Sequence, residues 1–368
     1  STSVSTALNE APAAGPRRGV FDTVNTNIIG HAGRTYALVE AGSWPVELND
    51  ELETIAHNPF DGSLDVSFSA HPHLDPNTGE MHAICYDATT NDKVWHVVVN
   101  TLGKVTRQEP IPVSDGPSIH DSQITENYVL VFDLPVTLSM KMMLAGYRFP
   151  YKWNPSHDAR VGLCPRNGNT VDTIWCDVDP CYVFHPANAF ETQDGKVIVD
   201  VVAHDKMFAR SKIGPDSQYS RFERWTIDPE IKNVERKILH DHKQEFPRYD
   251  ERKTCKPYRY AYSVALPVED HVEIEIGGTQ LFKHDVENGG TETHEFGVNR
   301  HPGEFVFIPR SENAAEDEGW LMGLVVDMND EHSELVILNA DDFSGEPQAV
   351  IHIPHRIPPG FHGNWVAN

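Results

Sequence analysis

Lys196-Val-Ile-Val-Asp-Val-Val202, which follows the turn pair Asp194-Gly195, decides the fold class. The run is rich in β-branched residues, too short for a globular helix and bounded by turn residues, so it reads as a buried β-strand. Runs of the same kind recur along the chain: Thr35-Tyr-Ala-Leu-Val39, Val94-Trp-His-Val-Val-Val99, Tyr128-Val-Leu-Val-Phe132, Glu304-Phe-Val-Phe-Ile308, Trp320-Leu-Met-Gly-Leu-Val-Val326 and Glu334-Leu-Val-Ile-Leu338. Between them stand Asp61-Gly62, Asp75-Pro-Asn-Thr-Gly79, Asn288-Gly-Gly290 and Asp317-Glu-Gly319, residues that favour tight turns. Long amphipathic helical patterns are absent. Many short strands with regular turns predict an all-β sandwich, barrel or propeller. No strict repeat selects among them.

Composition narrows the function. Against 30 Lys+Arg stand 55 Asp+Glu, so the 368-residue chain carries a formal net charge of −25. Phosphate recognition needs a basic stripe, and none appears; nucleic acid is excluded as a partner and a permanent anionic-membrane surface is disfavoured. No run approaches the length of apolar sequence that crosses a bilayer as a helix. Residues 1–18 are rich in Ser, Ala and Pro and read as a loosely held arm, with 19–368 as a single domain. The chain begins at Ser1 without a signal-like segment, which hints at processing or truncation upstream. The five cysteines, Cys85, Cys164, Cys176, Cys181 and Cys255, are odd in number and form no CxxC pair. They read as buried thiols in a reducing, cytoplasmic setting rather than as a disulfide or zinc framework.

Of the twenty histidines, four sit beside Pro, Gly or Asp at strand ends: His71, His120, His185 and His362. Converging neutral imidazoles would suit iron, copper or zinc, but spacing alone is a weak signal and favours ordinary hydrogen-bonded histidines. In His71-Pro-His73 the second imidazole is expected at the strand mouth, because a turn follows at once, and His240-Asp-His242 is expected to be solvated. No GxSxG, P-loop or GxGxxG signature supports hydrolase, NTPase or dinucleotide-binding chemistry.

The segments carrying these histidines are Ala70-His-Pro-His-Leu-Asp-Pro-Asn-Thr-Gly-Glu80, His120-Asp-Ser-Gln-Ile-Thr-Glu-Asn-Tyr128, Val183-Phe-His-Pro-Ala-Asn-Ala-Phe-Glu191 and Gly360-Phe-His-Gly-Asn-Trp365. In content and order they resemble the iron-ligand motifs of the carotenoid cleavage oxygenases, and the likeness extends over nearly all of residues 20–368. The resemblance implies a seven-bladed β-propeller with one central Fe(2+) held by His71, His120, His185 and His362. It further implies that Glu40, Glu245 and Glu304 accept ring N–H groups behind three of them; Glu126 and Glu191, also near the motifs, read as blade-surface residues. Implied too are cleavage of a conjugated C=C bond by O2 into two carbonyl products, an apolar polyene as substrate, and transient peripheral membrane contact.

On the same grounds Trp44, Phe60, Phe184 and Phe361 are candidates to line a substrate tunnel. The family's stilbene-cleaving branch carries a lysine before the first of the three glutamates. Val39 stands there in this chain, which favours a carotenoid or apocarotenoid over a hydroxystilbene. Two departures stand out: family members carry a longer segment ahead of the first histidine motif, and Ser122 and Trp44-Pro-Val differ from the commoner pattern. An inactive fragment that only binds a lipid or a partner is the alternative from a different class.

Overall fold

Strands rich in valine are buried on both faces. Val197–His204 lies between Tyr182–Glu191 and Ser220–Asp228, antiparallel to both, and only Ile198 in it is less than fully buried. One charged residue, Asp200, interrupts the apolar run and is wholly buried. Its carboxylate takes two hydrogen bonds from Arg224, both 2.8 Å, and a third of 2.6 Å from the Tyr258 hydroxyl. A buried charge persists where such partners replace its lost hydration. At the outer rim the pattern changes: in Asn233–His240 only Val234 is buried.

The computed structural model describes residues 24–87, 89–147, 149–210, 216–267, 277–358 and 360–366; the arm expected at 1–18 lies outside them. Within this range the strands form antiparallel groups of four, spanning 27–57, 73–112, 123–177, 182–240, 244–295 and 300–353. The third and fourth groups join into an eight-stranded sheet through one parallel pair, Asp177 with Asn233. A hairpin of Val136–Leu138 and Tyr151–Trp153, with the short helix Met140–Leu144 at its tip, is inserted in the third group. The fold is all-β and propeller-like; six groups are present among the described residues, against the seven blades that the resemblance implies. No helix among them is long and apolar enough to cross a membrane.

The apolar cores follow the order of the groups. Tyr36, Phe60 and Phe68 join the first group to Met81, Ala83 and Val97 of the second. Val131, Leu163, Val199 and Trp225 join the third to the fourth. Val202 and Phe222 meet Tyr249 and Ala261 of the fifth, and Tyr262 and Leu281 meet Phe305 and Leu321 of the sixth. Sheets with apolar residues on both faces must stack in this way to leave water, and stacking in sequence order turns the groups around a common axis. Neighbouring first strands also touch, Tyr182–Glu191 against Gln244–Tyr249 and the latter against Arg300–Pro309. The tail returns to the first group, where the His362 amide donates to Thr26 O at 3.1 Å and Asn364 Nδ2 donates to Ile28 O at 2.9 Å.

Turn chemistry follows the sequence reading. In Asp75-Pro-Asn-Thr-Gly79 the Asp75 carboxylate accepts from the Asn77 amide at 2.8 Å, and Gly79 takes a φ of 70° that a side chain would strain. Gly323 is glycine for another reason: a Cβ there would lie 2.3 Å from the Phe305 ring and 2.6 Å from the Glu304 carbonyl oxygen. Gly323→Ala is therefore expected to cost about 1–3 kcal/mol of stability through overpacking and to displace the Glu304 strand. Denaturant unfolding checks this; an unchanged midpoint would show that the strand yields without cost.

Candidate metal centre

Histidine and glutamate are drawn to the centre by where they stand in each group. His71 and His120 immediately precede the first strands His73–Leu74 and Gln123–Ile124, while His185, Glu245 and Glu304 lie within the first strands of the fourth, fifth and sixth groups. In those three strands the register shifts at the functional residue: between Val183 and Pro186, between Glu245 and Arg248, and between Pro302 and Phe305. A β-bulge turns a side chain away from the regular alternation, and a proline, lacking an N–H, is tolerated in a sheet only at such places or at an edge. Pro186, Pro247 and Pro302 thus mark the bulges that aim the site. Phe246, inside one of them, holds the left-handed φ of 55°, a costly conformation for a bulky residue.

The four imidazoles singled out in the sequence meet at this centre, with ligand atoms all within 4.8 Å of one another. Ring centroids of His71 lie 4.6 Å from His120, 5.1 Å from His185 and 4.5 Å from His362. Behind three of them stand the three glutamates. His120 Nδ1 is 2.8 Å from Glu40, His185 Nδ1 2.6 Å from Glu245, and His362 Nδ1 3.0 Å from Glu304.

Each carboxylate is itself held. The Tyr86 hydroxyl donates to Glu40 at 2.8 Å, His204 Nε2 lies 2.7 Å from Glu245, and the Gly363 amide donates to Glu304 at 3.1 Å, with Arg248 at 3.4 Å. Burial alone would raise the Glu245 and Glu304 acids, but His185 and His204 pull the first far down, and Arg248 with His362 hold the second near about 2. Both therefore carry charge and only accept hydrogen bonds.

That charge fixes the imidazoles. A carboxylate behind Nδ1 keeps the proton there, so Nε2 of the neutral ring presents its lone pair to the centre. Burial and the neighbouring histidines hold His71 well below its ordinary protonation range, and burial also lowers His185; in His120 the opposing charge of Glu40 outweighs burial and raises it. His120 Nε2 and His185 Nε2 face each other at 3.1 Å. His71 Nε2 is buried without any hydrogen-bond partner. Lone pairs crowded in this way repel unless a cation lies among them, and an imidazole set without thiolates suits a borderline first-row metal. The donor set fits a metal ion.

His71 differs from the others, because its Nδ1 is 3.8 Å from Asp121, beyond hydrogen-bond reach. Asp121 instead bonds His73 at 2.8 Å. Tyr86, His204, Arg248 and Phe246 were not singled out from the sequence. Only the last had a signal, its place before Pro247.

A cavity of about 240 Å³ opens beside His71, His185 and His362. Ile29, Met81 and Trp365 line it together with Asp121, Arg248 and Glu251. None of the four tunnel candidates is among its lining residues. Phe60 is wholly buried in the core against Tyr36 and Phe68, and Trp44 packs on the same cluster. A side chain with no exposed surface cannot line a passage, so Phe60 is a core residue. Phe361 is exposed. Phe184 does reach the site, its ring 5.1 Å from that of His120, while Phe246 lies 5.3 Å from both His185 and His362.

Other placements differ from expectation. Glu191 is no free surface charge: it accepts from Thr125 Oγ1 at 2.7 Å and from the Asn127 amide at 2.8 Å, bracing the third group against the fourth. His240 is half-buried against Phe282 and His284 rather than solvated. All five cysteines are free thiols, four of them buried.

Comparison with known proteins places this geometry. Residues 5–367 match the family model described as retinal pigment epithelial membrane protein. The chain is 37% identical over 411 residues to a carotenoid cleavage oxygenase of Mycobacterium tuberculosis, covering 98% of this chain and 81% of that one. It is 31% identical over 379 residues to the apocarotenoid-15,15'-oxygenase of Synechocystis, covering 96% and 76%. Among solved structures, cobalt-substituted Synechocystis ACO superposes with a TM-score of 0.83 at 30% identity, over 94% of this chain and 74% of that one. Pseudomonas brassicacearum lignostilbene dioxygenase gives 0.84 at 30% identity, over 92% and 74%. By its four-histidine centre, its propeller-like sheets and these likenesses, the chain belongs to the carotenoid cleavage oxygenase family.

Proposed function

We propose that this protein is an Fe(II)-dependent dioxygenase that cleaves a conjugated C=C bond of a carotenoid or apocarotenoid with O2, yielding two carbonyl products. The observation that carries this reading is the meeting of four imidazoles, His71, His120, His185 and His362, three of them fixed by hydrogen-bonded carboxylates. The names of the relatives add the substrate class. Residues 19–368 are taken as one domain and the four-stranded groups as blades of a seven-bladed ring.

Iron bound at the four Nε2 atoms would supply activation of O2. The residues of the chain hold and orient. Glu40, Glu245 and Glu304 keep the Nδ1 protons of His120, His185 and His362 in place, so that the rings neither rotate nor swap tautomer. Neutral ligands leave a divalent ion its full charge, while the three carboxylates stand one bond further away. Phe184 and Phe246 cover the rings with apolar surface and limit water at that side. No acid–base group needs to act on a hydrocarbon double bond.

Val39, which precedes Glu40, packs with the apolar cluster of Val24, Ala37 and Val46. An aliphatic side chain offers a phenolic hydroxyl nothing to bond, which favours a polyene over a hydroxystilbene. Exposed Met140, Leu144 and Tyr147 on the inserted hairpin support transient contact with a membrane surface, from which such a substrate would be drawn.

After anaerobic reconstitution with Fe(II) and desalting, the protein is expected to retain about one iron per chain by elemental analysis. His185→Ala is expected to retain none, and unchanged occupancy would remove His185 from the ligands. Glu304→Gln should lower iron affinity by roughly 10–100-fold with the far-ultraviolet circular dichroism of the wild type; wild-type affinity would break its assigned role. The iron-loaded protein should consume O2 with an apocarotenal and not with a hydroxystilbene. The opposite preference would overturn the substrate reading.

A further inference from the structure

A second group of metal-type donors lies at the outer rim of the sixth group, away from the first strand that serves the central site. His332 and Glu334 occupy alternate positions of the strand His332–Asn339 and so share one face. On the neighbouring strand Ala349–Ile353, His352 stands directly opposite Glu334. This register brings His332 Nε2 to 3.4 Å and His352 Nδ1 to 3.0 Å from the same oxygen, Glu334 Oε1. The two imidazole centroids are 5.6 Å apart. The ligand atoms of all three residues lie within 4.8 Å of one another, as do those of Asp327, Asp330 and His332.

From this arrangement we propose a second cation site, formed by His332, Glu334 and His352, that takes a borderline divalent ion such as Zn2+, Cu2+ or Ni2+. Three features separate it from a chance surface ion pair. Glu334 is buried, and its other oxygen, Oε2, is engaged by Arg300, so the carboxylate is anchored with Oε1 turned toward the two imidazoles. An oriented carboxylate of this kind is what a ligating oxygen needs. Two imidazoles and one carboxylate, delivered by an i, i+2 pair and a cross-strand partner, form one facial set of three donors, which leaves the solvent side open for water. The charges also balance: Asp327, Asp330 and Glu334 against Arg300, which approaches Asp327 at 3.5 Å, leave two negative charges when both histidines are neutral. A divalent ion neutralises them. The strongly exposed His352 ring provides the way in from solvent. Imidazole donors select against Mg2+ and Ca2+, which prefer oxygen alone.

Zinc binding by the full chain tests the proposal. With the central site first filled with Fe(II) under anaerobic conditions, equilibrium dialysis against Zn2+ should show about one further equivalent per chain, absent with Mg2+. The exposed substitution His352→Ala should abolish this second equivalent while iron content stays at the wild-type level. His332→Ala should do the same, and His355→Ala, a change at a nearby exposed histidine outside the cluster, should leave it intact. Cobalt(II) at the second site should add a visible absorption band that both His332→Ala and His352→Ala remove. Zinc uptake that survives in His352→Ala and His332→Ala, or no uptake by the wild type, overturns the site.

Discussion

The protonated Nδ1 of a histidine held against a buried carboxylate is the interaction on which this structure turns. Each of the pairs His120–Glu40, His185–Glu245 and His362–Glu304 converts a side chain with two tautomers and a rotatable ring into a single donor atom aimed at one point. Glu245 and Glu304 stay charged while buried, and each of the three carboxylates has another partner: Tyr86 for Glu40, His204 for Glu245, and Arg248 with the Gly363 amide for Glu304. The arrangement is layered outward from the centre, imidazole, carboxylate, then hydroxyl, imidazole or guanidinium, and each carboxylate comes from a different part of the chain than the imidazole it holds.

A fold of stacked four-stranded groups suits this layering. Apolar faces between neighbouring groups supply the driving force and hold first strands near a common axis, with side chains of each strand directed alternately toward the two neighbours. Regular alternation alone would send His185, Glu245 and Glu304 into those apolar interfaces. The bulges beside Pro186, Pro247 and Pro302 break it at these residues and turn them along the axis instead. The cost is local, in left-handed Phe246 and in ladder hydrogen bonds not made. Side chains recover part of it, Gln123 donating to Ala187 O at 2.6 Å and Asn188 to Lys253 O at 2.9 Å.

What could be read from the sequence follows from the range of each signal. Strands such as Lys196–Val202 and turns such as Asp75–Gly79 are set by neighbours within a few residues, and they stand where expected. The four histidines sit in long local motifs and were visible for that reason. Glu40, Glu245 and Glu304 carry no such pattern and came only through family likeness. Tyr86 and His204 look like any core tyrosine or histidine until the groups are assembled, since what they touch is 46 and 41 residues away. The misplaced aromatics have the same origin: nothing near Phe60 distinguishes a core ring from a tunnel wall, and that difference arises between the first and second groups. The in-strand prolines Pro186, Pro247 and Pro302 are a local signal of the bulges, legible in the sequence itself.

His71 shows what the layered design leaves open. Its Nδ1 has no carboxylate within hydrogen-bond reach, because Asp121 is engaged by His73. Three rings are thus held in place from behind while the fourth is set by packing, with centroids of His120 and His362 at 4.6 Å and 4.5 Å. A ring fixed by packing shifts more readily than one fixed by a charged hydrogen bond. Three donors are thus aimed through hydrogen bonds to carboxylates, while the place of the fourth depends on the rings packed around it. The strands differ in the same way: the bulges and prolines are found where His185, Glu245 and Glu304 take their aim, whereas His71 stands before its strand begins, its amide donating to Ser69 Oγ at 3.0 Å.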